Sequence, residues 1–93
     1  MMTDTPNEKI RHAIAWQLNR LGVHHVDSLH ETLLIRHGLF CGRKFECEGY
    51  QVVWFLEEDE IKFFSPVGDL LKACSAGDCL RNYENAPADR RAA

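Results

Sequence analysis

Apolar positions fall on a helical stripe near the start of the chain and on period-two runs after it. Ile10, Ala13, Ile14, Leu18 and Leu21 recur at helical spacing, with Lys9, Arg11, Asn19 and Arg20 around them. Ahead of them Thr5-Pro6-Asn7-Glu8 reads as a capping box. The Thr5 hydroxyl can accept from the Glu8 backbone N–H, the Glu8 carboxylate can reach back to the Thr5 N–H, and Pro6 lacks a donor that the first turn would leave orphaned. Gly22 followed by Val23 supplies a stop in which Val23 can touch Leu18. The spacing predicts a helix over residues 6–21.

The rest of the chain reads as strands separated by turn chemistry. Thr32-Leu33-Leu34-Ile35 leads into the tight turn His37-Gly38, and a second strand runs over 39–47. Glu48-Gly49 is the next turn; further strands are expected over 50–57 and 60–65, before the turn Pro66-Val67-Gly68. Ser28-Leu29-His30-Glu31 is a second capping-box match, so a short helix into Leu34 competes with the first strand. The β-compatible side chains favour the strand.

In the central hairpin a two-residue loop at Glu58-Asp59 sets Leu56 opposite Ile61 and Trp54 opposite Phe63. A slip by two residues with a longer loop, which sets Glu57 beside Lys62, leaves the same side chains on the same faces. Trp54, Leu56, Ile61 and Phe63 therefore form the face expected against the helix, and Val53, Phe55 and Phe64 make the reverse face apolar. Residues 69–80 are expected to cover that reverse face, as a fifth strand over 70–74 or as a short helix, unless a second subunit does so. From Asn82 onward the chain is polar and Ala-rich. The expected organisation is a flexible amino terminus over 1–5, one α+β domain over 6–81, and a disordered carboxy-terminal tail over 82–93. Within the domain an N-terminal helix packs on a small antiparallel β-meander of three to five strands.

Composition narrows the function classes. A chain of 93 residues with 45% hydrophobic and 27% charged residues is that of one ordinary globular domain. A net charge of −3 works against covering a phosphate backbone. No run approaches the roughly 20 apolar residues that span a bilayer, and the first residues lack a basic region leading into an apolar one, so a cytoplasmic protein without a membrane anchor is expected. Thiols stay reduced there, and Cys41, Cys47, Cys74 and Cys79 are not read as a disulfide framework.

Four residue sets could carry chemistry. The cysteines have the wrong spacing for zinc, since residues six apart on a strand stand about 20 Å apart; they read as small buried hydrophobes. His24, His25, His30 and His37, with Asp27 and Glu31 between them, lack the spacing of a metal motif and have no nucleophile to serve. Arg36, Arg43 and Lys44, interleaved with Phe40 and Phe45, form the basic and aromatic grouping that could meet an anion or a nucleic acid. Trp16 points away from the apolar stripe, which leaves two readings: a partly exposed ring of the kind that anchors protein interfaces, or a ring packed under the carboxy-terminal segment of the same domain.

No catalytic residue, cofactor or metal site is assigned. The expected function is a non-enzymatic protein–protein interaction or adaptor module. Its surface is expected to be Trp16, Val53, Phe55 and Phe64, and its partner another protein or a second copy in a homodimer. The alternative is a small ligand- or nucleic-acid-binding domain using Arg36, Arg43 and Lys44. A zinc-binding domain ranks third.

Overall fold

Helix α1 (Pro6–Leu21) begins and ends where its spacing and stop signals put it. The computed structural model describes residues 6–86, so Thr5, the flexible stretch expected over 1–5, and residues 87–93 lie outside the described residues. At the far end of α1 the Val23 N–H donates to the Leu18 carbonyl at 3.0 Å and the Gly22 N–H to Asn19 at 3.2 Å. This is the paired bond set of a Schellman stop, and it seats Val23 and Leu18 in the same core.

A short 3-10 turn at Val26–Ser28 leads into β1 (His30–Arg36), β2 (Leu39–Cys47), β3 (Tyr50–Phe55), β4 (Glu60–Phe64) and β5 (Leu70–Cys74). They form one antiparallel sheet in the order β1-β2-β3-β4-β5. The meander has all five of its strands, and the second capping-box match yields to β1. His37 (φ 52) with Gly38 (φ 77), and Glu48 (φ 53) with Gly49 (φ 86), make two-residue turns with positive φ at both positions, the twist-matched hairpin form.

The β3–β4 connection differs from either predicted register. Trp54 pairs with Ile61 and Val52 with Phe63, so the loop is Leu56 to Asp59 and β3 stops at Phe55. Asp59 takes the left-handed conformation, with φ 52, and its N–H donates to Leu56 at 3.2 Å; this closes a longer turn that a short polar side chain tolerates. Leu56 consequently leaves the sheet and is exposed, a correction to its place in the core. The face assignment survives because the offset is even. Phe45, Cys47, Val52, Trp54, Ile61 and Phe63 lie under α1, and Val53, Phe55 and Phe64 lie on the reverse face.

Residues 69–80 do not cover the reverse face. They are both strand and helix: β5 extends the sheet, and α2 (Ala76–Glu84) turns back onto the side already occupied by α1. Ser75 caps α2 by accepting from the Asp78 N–H at 3.0 Å. The helix continues through Asn82 to Glu84, so the domain extends past the expected boundary at Arg81. Ala76, Cys79, Leu80 and Tyr83 pack on the core at helical spacing.

Candidate functional site

The two helices cover the central strands of one sheet face and leave the β1–β2 hairpin beyond them. The border runs through three charged residues. The Glu31 carboxylate is held by Arg11 from α1 and by Arg43 from β2, each at 2.6 Å, and Arg11 also donates to the Leu29 carbonyl at 3.0 Å. Below this border Phe45 is buried. Above it the same face is open: Leu33 is 58% exposed, Ile35 52% and Phe40 49%, and at the tip of the hairpin Leu39 is 71% exposed. Ile35 and Phe40 are cross-strand partners, Leu33 faces Arg43, and the Arg43 guanidinium lies 5.9 Å over the Phe40 ring.

β1 is also an edge of the sheet, and it lacks the usual protection. Strands at edges avoid adding foreign strands by carrying a charge or proline at mid-strand, by bulging, or by being covered. In β5, the other edge, Lys72 stands at the centre, the pairing is irregular at Phe63/Phe64, and α2 follows at once. In β1 the run Thr32-Leu33-Leu34-Ile35 holds no charge, proline or glycine. The irregularity of the β1–β2 ladder, at Leu34/Ile35, comes from the extra residue Cys41 on β2. Next to it Gly42 lies against β3 so closely that a Cβ there would stand 2.0 Å from the Trp54 carbonyl oxygen. This bends β2 while leaving β1 regular.

The residues singled out from the sequence scatter over this frame. Trp16 is 8% exposed, so it is buried under the carboxy-terminal segment and is not the partly exposed ring of the other reading. Its ring meets Tyr83 of α2 edge-on at 6.0 Å, and the Arg20 guanidinium lies 5.1 Å over it. The side of α1 that looked unoccupied is where α2 packs. Val53, Phe55 and Phe64 do share the reverse face and are half-buried. Arg36 and Lys62 lie over the Phe55 ring at 5.0 and 5.9 Å, and the pairs Lys44–Glu46 and Lys62–Glu60 line the same face, so its apolar rings sit beneath charged side chains.

Strand alternation separates the basic grouping. Arg36 and Lys44 point to the reverse face while Arg43 points to the helix face, engaged by Glu31. Among the described residues no three of His, Cys, Asp or Glu come together as a metal site would need. Cys74 and Cys79 pack in or against the core, and burial pushes the Cys79 thiol up to about 12. Cys47 donates to the His25 carbonyl at 3.1 Å beneath an open cavity of about 300 Å³ at the β2–β3 turn. There the Glu48 carboxylate accepts from the backbone N–H groups of His24 at 3.3 Å and His25 at 2.9 Å, and the first of these bonds is the main cause that lowers its pKa. The carboxylate acts as a strap on the loop after α1.

Leu33, Ile35 and Leu39 were not singled out as a site from the sequence, and Phe40 entered only within the basic and aromatic grouping. The signal was available: in a meander the first strand is an edge, and this one has apolar side chains on both parities with no mid-strand charge. Comparison with protein-family models, with curated proteins and with solved structures gives no match. Among the described residues no helix is long and apolar enough to cross a membrane.

Proposed function

We propose that the protein is a non-enzymatic interaction module that docks an extended protein segment along β1, by addition of a strand to the sheet. The observation that carries this reading is the unprotected β1 edge, flanked on one face by Leu33, Ile35 and Phe40. Strand addition draws affinity from main-chain hydrogen bonds and specificity from alternating side-chain contacts, and this edge offers both. Exposed apolar side chains grouped at the rim of a charged border mark interaction surfaces. We also assign the protein to the cytoplasm, a reading supported by its four free thiols. Neither an anion site nor zinc is retained as a second reading, because no observation gathers the residues that either would need.

A pull-down from the native cytoplasm with immobilised wild type, Leu33→Lys and Leu70→Lys tests the reading. Leu33 and Leu70 are both exposed, on opposite edges of the sheet. The bound protein is expected to be lost with Leu33→Lys and kept with Leu70→Lys. Capture that ignores Leu33→Lys contradicts the reading.

A further inference from the structure

We propose that the strand received by β1 is the β1 of a second copy, the two running antiparallel about a two-fold axis through Leu34. The inference rests on the docking reading above and names its partner. An isologous strand pair must present the same sequence to itself, and a seven-residue strand offers few ways to do so.

Centring the axis on Leu33 would set Ile35 against Glu31, whose carboxylate is already held by two arginines. Centring it on Ile35 would set Leu34 against Arg36 and Leu33 against His37. With the axis on Leu34 every apolar position meets an apolar one: Leu33 of each copy faces Ile35 of the other, and Leu34 faces itself. The register inside each sheet then extends the match. Because Ile35 pairs with Phe40, each open row reads Phe40, Ile35, and then Leu33 of the other copy. On the reverse face the row reads Phe55, Gly42, Leu34 and then the same three in reverse order. Two five-stranded sheets become one of ten strands, and both unprotected edges disappear.

Like pairs do not form at β5, where a Lys72 in each copy would be brought into one strand pair. An edge about 24 Å long with its flanking side chains belongs at the small end of specific interfaces, below roughly 600 Å² per partner, so association depends on concentration.

The test is sedimentation equilibrium of the full chain from micromolar to near-millimolar concentration. Wild type, Leu33→Lys, Ile35→Glu and an equimolar mixture of the two variants are compared. Both sites are exposed, and unchanged thermal melts at low concentration verify that the variants fold. Wild type is expected to dimerise, and each variant alone to associate at least ~10-fold more weakly, because a charge then faces an apolar side chain twice per dimer. The mixture is expected to regain the dimer, since the introduced lysine meets the introduced glutamate at one of the two contacts while the other stays native. A wild type that is monomeric throughout overturns the second copy as partner. So do variants that dimerise as wild type does. A mixture that stays monomeric beside a dimeric wild type overturns the Leu34 register. A monomeric wild type whose capture of a cytoplasmic protein still depends on Leu33 separates the two readings, removing the homodimer and leaving the docking edge.

Discussion

Trp16, packed against Tyr83 of α2, and Trp54, in the core cluster on the sheet, are each 8% exposed. Their truncation to alanine removes comparable apolar area, and each is expected to cost about 3–5 kcal/mol, enough to unfold a marginal domain. Urea titration of the two variants beside wild type checks this; a Trp16→Ala protein as stable as wild type contradicts the packing of α2 on α1. The Cys79 thiol makes a second prediction. The unfolded chain releases this proton near the ordinary thiol value of 9.0, whereas burial holds it in the fold up to about 12. Its contribution to stability is therefore complete below 9.0 and is lost as the pH rises through that window toward about 12. Urea titrations stepped upward through the window should show a steeper loss for wild type than for Cys79→Ala. Equal slopes contradict a buried, protonated thiol.

Among the elements, those specified by local rules were legible in the sequence. The stripe and stop of α1, the turns His37-Gly38 and Glu48-Gly49, and the span of β2 each follow from residues within a few positions of one another. The misses came from longer range or from a boundary set too early. Placing a tail at Asn82 separated Tyr83 from Ala76, Cys79 and Leu80, and so hid the helical spacing of α2 and the Ser75 cap. Without α2 as a defined helix, the second buried side of α1 had no assigned partner, and cover of Trp16 by the carboxy-terminal segment stayed one of two readings. The register of β3 and β4 hinged on Asp59 adopting a left-handed conformation, which its residue type allows but does not require. The bend in β2 was hidden too, because Gly42 matters through a carbonyl on another strand. Gly42→Ala is expected to cost about 1–3 kcal/mol in a chemical denaturation curve, since the Trp54 carbonyl belongs to a paired strand and cannot easily retreat. A neutral substitution there contradicts the close approach of β2 to β3.

At the scale of the whole molecule, the fold places both helices on one side and leaves two different surfaces open. The reverse face was legible as apolar, and Val53, Phe55 and Phe64 do lie there. What the side-chain pattern did not reveal is that Arg36 and Lys62 lie across Phe55, which converts a greasy face into a charged one with apolar depth. The hairpin behaves in the opposite way. Its Glu31–Arg43 pair closes the helical layer, and beyond that pair Leu33 and Ile35 are exposed. The proposed gain of a strand at the open β1 edge is examined directly by amide hydrogen exchange across a concentration series. In dilute protein the outward-pointing amides among Thr32 to Arg36 should exchange quickly, and they should become protected as concentration rises while those of β5 stay unchanged. Exchange in β1 that is slow in dilute protein, or fast at every concentration, contradicts the pairing of β1 with a second copy.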